Sequence, residues 1–550
     1  MTELFSPSER AVLARHVTNI DGDVFALRNL PEVVKGALFA RYSRSSQSLR
    51  RLFLDEFAPA LDPATPASPD SARPATEADG SVGLERAEAL YERVLGEYGD
   101  DSVAQLGGAH VAVEGASNLL TKQLEWGRLA AYLEQSTRYV PYNDQPEGRY
   151  RYYRDPDVLA GPHADAYLAT LEAIFGCYAA LLPRVLDSVR ASYPHDPDTS
   201  ERAWRRATKA KALDLLRGLL PAATTSNVGI FASGQAYEQL LLRLQGSELA
   251  EARDCGARLL VELRKVIPSF LTRVDRRDRG GVWSDYLATT RAATRDLAHE
   301  LVAKVDPAFA PEVTLVNWSP RDPADAEIEL VTGMLYPAVT LPETQLRQVV
   351  ADLPAEDRRR VVAAYVGDRG NRRHRPGRAF ERVWYHFDVL GDYGAFRDLQ
   401  RHRMLTIQWQ DLTTRHGYDT PPELSEAGFT DDWDEALARS AELYERLLPD
   451  HPMQAQYAVC FAYRVRYELQ LNARSAMHMI ELRSSLQGHP TYRRVVQRMH
   501  ELIREQAGHR LVADAMSFVD YRGNELERLA AERRAEARRA ALHLGGAAAS

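Results

Sequence analysis

Apolar residues recur at three- and four-residue spacing along most of the chain, in runs such as ALDLLRGLL (Ala212–Leu220) and RRVVQRMHELI (Arg493–Ile503). That period gathers them on one face of a helix, so helix is the dominant predicted element. Two shorter stretches alternate instead: HVAVEG (His110–Gly115) and VWYHFDVLG (Val383–Gly391). In the second, Val383, Tyr385, Phe387 and Val389 fall on one face of a strand. A third short strand is expected at Val313–Trp318, inside a proline-punctuated stretch from Val305 to Asp325. Helices packed on a modest antiparallel sheet follow, an α+β fold.

Three segments break the pattern. Phe57 to Val82 is a Pro/Ala/Ser/Asp mixture with no apolar face and is predicted to be a mobile loop. Gly367–Arg378, GDRGNRRHRPGR, is a basic, glycine-rich loop. From Leu526 the chain reads as an Ala/Arg/Glu helix that frays into GGAAAS.

A repeat runs through the rest. VAVEGASNLLTKQLEWGR, ending at Arg128, parallels FDVLGDYGAFRDLQRHR, ending at Arg403. Each reads strand, glycine, helix, then a charged block. An acid, a hydroxyl residue and an arginine follow at two-residue spacing, as Glu134/Ser136/Arg138 and Asp411/Thr413/Arg415. The ordered blocks point to a duplication with its seam near residue 305. The expected organisation is an N-terminal copy over 1–304, a C-terminal copy over 305–525 and a tail over 526–550.

Charge and composition narrow the class. A net charge of −8 argues against nonspecific nucleic-acid binding. Charged residues are expected to interrupt every apolar run before membrane-spanning length, and the N-terminus lacks a signal core. The three cysteines stand far apart with no CxxC, which fits a reduced cytoplasm and no metal site. GxSxG, HExxH, Walker and GxGxxG motifs are all absent, so no protein nucleophile or dinucleotide fold is indicated.

Chemistry can sit in three places. Arg401-His402-Arg403 is either a solvated helix end, favoured by the helix dipole, or an anion-binding group whose arginine forks take phosphate or ring carbonyls. In EQSTRY, Ser136, the backbone amides and Arg138 could cradle a phosphate while Glu134 orients a neighbour; an ordinary loop is the alternative. LNARSAMHMIELR places Arg474, His478 and Glu481 at helical spacing, with Arg483 following. Taken alone, the segment favours a core helix with solvated basic residues.

Together these blocks resemble the flavin-dependent thymidylate synthases, across about two-thirds of the chain. That family's signature is RHRxxSxNExSxR, preceded by His-x-Ser-Pro-Phe-Glu-His and by a Gln three residues before the first Arg. Downstream it has Arg-x-x-Leu-Pro and an NxRxxxNFxxLR-like helix followed by a His. In the C-terminal copy, Phe380-Glu381, Arg401-His402-Arg403, Thr406, Asn472, Arg474, Leu482, Arg483 and His489 match, while Asp411, Thr413 and Arg415 match after a two-residue insertion. Arg382, Asp398 and His478 replace the family's His, Gln and Asn. The N-terminal copy keeps Gln123, Glu134, Ser136, Arg138, Tyr139 and Arg217-Gly218-Leu219-Leu220-Pro221, but has Trp126-Gly127-Arg128 in place of RHR.

The resemblance implies two fused copies of that fold, associating as a homodimer that imitates the family's tetramer. It implies reductive methylation of dUMP to dTMP, with methylenetetrahydrofolate as carbon donor, FAD as hydride carrier and NADPH as reductant. Arg401 and Arg483 would be catalytic. Arg401, His402, Arg403, His478 and His489 would bind flavin, and Glu134, Ser136, Arg138, Arg217 and Arg483 would bind the nucleotide. The alternatives are a flavin enzyme acting on another pyrimidine nucleotide and a non-catalytic flavin- or nucleotide-binding homologue. One composite site, built from the complementary remnants of the two copies, is the expected arrangement.

Overall fold

Junctions where a strand runs straight into a helix organise the chain. β1 (Gly108–Ser117) leads into α1 (Asn118–Leu124), followed by β2 (Ala130–Glu134), α2 (Ala164–Ser192), α3 (Glu201–Leu216), β3 (Thr225–Ser233), α4 (Gly234–Gln245) and α5 (Ala250–Arg264). After β4 (Val313–Ser319) the same order returns. β5 (Trp384–Asp392) leads into α6 (Tyr393–Leu399), then come β6 (Thr406–Trp409), α7 (Thr430–Leu447), β7 (Arg464–Asn472), α8 (Ala473–Arg483) and α9 (Pro490–Glu505). Four of these strands end on a residue that caps the next helix. Ser117 accepts from the Leu120 amide, Ser233 from Ala236, Asp392 from Ala395 and Asn472 from Ser475. A short side chain with an oxygen at this position satisfies a donor that the first helical turn leaves orphaned. The computed structural model describes residues 4–42, 45–58, 105–302, 304–523 and, beyond them, 526, 529, 532–534 and 536–537.

The sheets repeat as the junctions do. One runs β1-β3-β2 and the other β4-β5-β7-β6, so without β4 the order of the second is that of the first. β5 pairs antiparallel with β7 from Trp384↔Asn472 to Asp392↔Arg464. The predicted face of β5 is the core: Val383, Tyr385, Phe387 and Val389 are fully buried, and α9 packs on β4 and β5. The fold is therefore α+β, helix-rich, in two copies.

Compactness divides the chain into two units. The first takes the described parts of residues 1–114, 127–134 and 227–305; the second takes 115–126, 135–226 and 306–550. One boundary between the units falls at 305, and residues 115–126 and 135–226 belong with the second unit. Backbone pairing and apolar burial explain why. Phe461 donates to the Leu220 carbonyl, Ala222 to Val459 and Ala223 to Tyr457, and the residues at this seam are buried. Gly218 lies in it, where a Cβ would stand 2.5 Å from Trp433 and 3.1 Å from Ala462. Gly218→Ala should cost about 1–3 kcal/mol of stability through overpacking. An unchanged thermal transition would show that this seam yields without cost.

Two expectations change. Among the described residues, α2 is long and apolar enough to cross a membrane. Its apolar residues Leu171, Ile174, Phe175 and Tyr178 are instead fully buried within the second unit, where α2 packs on α3 and α7. Phe57, expected to open a mobile loop, is buried at the end of a helical segment, Phe53–Phe57. Residues 59–104, which include the rest of that predicted loop, lie outside the described residues, as does most of the predicted tail.

Candidate functional site

Three helix ends and one turn of the second unit converge. α6 ends at Leu399 and hands the chain to Arg401-His402-Arg403; α8 ends on Arg483. α3 carries Asp214 in its last turn and continues into Arg217. The turn after β2 is closed by the Ser136 carbonyl, which accepts from the Tyr139 and Val140 amides at 3.2 and 3.1 Å. Ser136 Oγ accepts from the Arg138 amide at 3.2 Å, which orients Arg138 inward.

The guanidiniums are held in sequence. Arg138 forks onto Asp214, Nε to Oδ1 at 2.8 Å and Nη2 to Oδ2 at 2.7 Å, and donates from Nη1 to the Tyr492 hydroxyl at 2.9 Å. Arg217 donates through Nη1 to Asp398 Oδ2 at 3.2 Å. The other side of that carboxylate meets Arg483 Nη1 at 3.6 Å. Arg483 Nε donates to His402 Nε2 at 2.9 Å, and the His402 and His478 rings stand 5.3 Å apart. Because Arg483 can only donate, His402 Nε2 is an acceptor and its proton sits on Nδ1.

This donor set exceeds what the protein satisfies. Arg217 is 3% exposed, yet its Nη2 has no hydrogen-bond partner. Three guanidiniums, Arg138, Arg217 and Arg483, pair with two carboxylates, Asp214 and Asp398, and a third buried carboxyl, Asp392, stands close enough to Arg217 to feel its charge. A buried donor left unmade costs free energy unless something fills it. The arrangement fits an anionic, carbonyl-bearing ligand: a nucleotide phosphate, or the diphosphate and ring carbonyls of a flavin nucleotide. Gly394 keeps the approach open, since a Cβ there would stand 3.1 Å from Arg217 Nη2.

Electrostatics set the charge states. Burial pushes the Asp398 carboxyl up, but Arg217, Arg483, Arg401 and Arg138 together hold it far below the ordinary range, so it is ionised. Burial, with Arg483 beside it, drives His402 well below its ordinary value; burial and Arg375 lower His478 to about 4; burial and Arg217 drive His489 well below 6.5. These rings take up protons in the unfolded chain near pH 6.5 but stay neutral in the folded one. The unfolded state therefore binds more protons as pH falls, and stability drops. Their contribution is complete above pH 6.5 and declines toward pH 4, where His478 itself titrates. Thermal midpoints should accordingly fall from pH 7 to pH 5, and a flat profile would contradict the burial of these imidazoles.

Of the residues singled out from sequence, Ser136, Arg138, Arg217, His402, His478, Arg483 and His489 lie in this one network. Arg401 is exposed but within electrostatic reach of Asp398; Arg403 is half-buried beside it in the chain. Glu134 ends β2, buried in the first unit. Both nitrogens of His489 are engaged. Nδ1 meets Thr491 at the N-cap of α9, and Nε2 meets the Asp214 carbonyl at 3.2 Å. His489 thus positions α9 against α3 and has no nitrogen left for a ligand. Sequence reasoning missed Asp214 and Tyr492. A lone acid inside the apolar run ALDLLRGLL was the available sign for Asp214; Tyr492 had none.

The reciprocal position has lost these groups. Trp126 stands where Arg401 stands in the other copy; it donates from Nε1 to the Ile407 carbonyl at 3.3 Å and meets Trp409 edge-on at 5.5 Å. Gln456 Oε1 is taken by the Leu412 amide at 3.0 Å, and Arg415 forks onto Glu445, both contacts at 2.9 Å.

A duplicated α+β fold with an arginine-rich candidate site that draws residues from both copies defines the class. The chain belongs to the thymidylate synthase complementing protein family, the flavin-dependent thymidylate synthases, whose model matches residues 58–269 and again 325–508. Two successive matches in one chain are what the duplicated sheets require. The chain is also similar to proteins named UPF0159 protein. That of Chlamydia pneumoniae is 39% identical over 538 residues, covering 97% of this chain and 98% of the relative. That of Thermoplasma acidophilum is 29% identical over 525 residues, covering 90% and 97%.

Proposed function

We propose that the chain is a flavin-dependent thymidylate synthase that reductively methylates dUMP to dTMP at one composite site per chain. Methylenetetrahydrofolate supplies the carbon, and NADPH supplies the reducing equivalents through FAD. The observation that carries this reading is the unfilled Arg217 Nη2 inside a network joining the family's RHR, LR and RxxLP residues.

Arg217, assisted by Arg138 and the Ser136 turn, holds the nucleotide phosphate. Arg483 and Arg401 face the uracil and stabilise charge that builds on its carbonyls. Asp398 keeps Arg217 and Arg483 apart and aimed. His402 offers its Nδ1–H as a neutral donor, and with Arg401, Arg403 and His478 it would hold FAD, which supplies the hydride chemistry when bound. No protein nucleophile is required. The association of fused chains as a homodimer belongs to the same reading, and so does a cytoplasmic location.

The test has two stages. Purified protein should take up FAD, seen as flavin absorbance and quenched flavin fluorescence. With FAD, NADPH and methylenetetrahydrofolate it should release tritium from [5-3H]dUMP. Colourless protein that ignores added FAD overturns the whole reading. FAD uptake without tritium release leaves the second reading, a flavin protein of another pyrimidine nucleotide, which the substitution of Asp398 for the family's Gln favours.

A further inference from the structure

The basic loop 367–378 has no part in the function proposed above. Its underside is locked. Arg369 is buried and forks onto buried Glu481 at 2.6 and 2.7 Å, with a further bond to the Ala515 carbonyl. Arg369 Nε also donates to the His374 carbonyl at 2.7 Å, and the Gly370 amide donates to His374 Nδ1 at 3.2 Å. At its far end Arg474 Nε donates to the Pro376 carbonyl at 2.9 Å. The loop backbone is thereby fixed, with Arg373 and Arg375 exposed on it.

Arg372, Arg373 and Arg375 make no ion pair among the described residues, and Arg372 is half-buried. The arginines around another cavity, of about 600 Å³, are paired: Arg415 with Glu445, Arg464 with Asp419, Arg466 with Asp388 and Arg494 with Glu312. The loop is also joined to the candidate site by contact. Arg375 Nη2 lies 3.5 Å from His478 Nε2, the His478 ring meets His402 edge-on at 5.3 Å, and His402 accepts from Arg483. Arg375 and Arg372 both bear electrostatically on His478, so like charge gathers at this end of the chain of contacts, where an anion would relieve it.

We propose that Arg372, Arg373 and Arg375 form a diphosphate-binding subsite at the edge of the candidate site. A diphosphate carries enough charge and enough oxygens for several guanidinium forks at once, whereas a single phosphate engages fewer. The subsite rests on the synthase reading only for the expectation that one ligand reaches both the loop and the Arg217–Arg483 pair. A nucleotide with a diphosphate bridge would do so.

Titration with inorganic pyrophosphate, orthophosphate and dUMP tests it on the full-length chain. Arg372→Ala/Arg375→Ala should weaken pyrophosphate binding roughly tenfold or more, the usual effect of losing charge-assisted bonds. Its dUMP affinity should stay within about twofold, because the dUMP contacts lie elsewhere. Arg372→Lys/Arg375→Lys should recover part of the loss by keeping the charge. The proposal is overturned if wild-type protein ignores pyrophosphate or binds orthophosphate equally well. It is also overturned if the alanine variant binds pyrophosphate normally, or loses pyrophosphate and dUMP together with a lowered thermal transition. Loop-dependent pyrophosphate binding without any FAD uptake would leave the subsite standing and remove the synthase reading. FAD uptake with no effect of the loop variant would do the reverse.

Discussion

Arg217→Ala is expected to weaken dUMP binding by about a hundredfold, since a lost charged hydrogen bond costs up to about 3 kcal/mol. Two features make this site more sensitive than its neighbours. Arg217 is buried with a donor unfilled by the protein, so the ligand is its missing partner. Its removal also strips Asp398 of a counter-charge at 3.2 Å, leaving a buried carboxylate that repels the incoming phosphate. Arg138→Ala should cost less, roughly tenfold, because Arg138 is already forked onto Asp214 and bonded to Tyr492. Arg217→Lys should fall between wild type and alanine, as an ammonium keeps the charge but not the planar fork. Calorimetric titration of the three variants gives the order. Equal losses for Arg138→Ala and Arg217→Ala would mean that the unfilled Arg217 donor is not where the phosphate binds.

The second large effect is on stability. Arg369→Met leaves Glu481 buried and unpaired, where it now accepts both arms of Arg369 and, at 3.3 Å, the Phe518 amide. Breaking one side of such a pair costs about 3–5 kcal/mol, whereas replacing both sides with apolar residues is often near neutral. Arg369→Met should therefore lower the thermal transition strongly, and Arg369→Met/Glu481→Met should restore most of it. If the double variant is as unstable as the single one, the pair's value lies in holding the 367–378 loop and not in compensating charge. Pyrophosphate titration of the double variant separates those cases, because an unlocked loop loses its ligand.

Much of the architecture was legible in the chain. Alternation in VWYHFDVLG marked β5 and its buried face, because strand side chains reverse with every residue and a half-buried strand must alternate. The duplication showed in block order, and the four N-caps, Ser117, Ser233, Asp392 and Asn472, are local chemistry that needs no distant partner. The arginines of the candidate site were visible for a similar reason: they carry the family's spaced motif.

What the tertiary structure decided is how these residues pair. Asp214 and Arg138 are 76 positions apart, Arg217 and Asp398 181. Such pairs form only because the 218–224 strip lies against 457–462 and brings α3 to the end of α6. The same packing engages both nitrogens of His489 and leaves Arg217 Nη2 without a partner. Sequence spacing reports local geometry, whereas a pKa or an unfilled donor depends on which charges burial brings together, and that is set by contacts between distant segments.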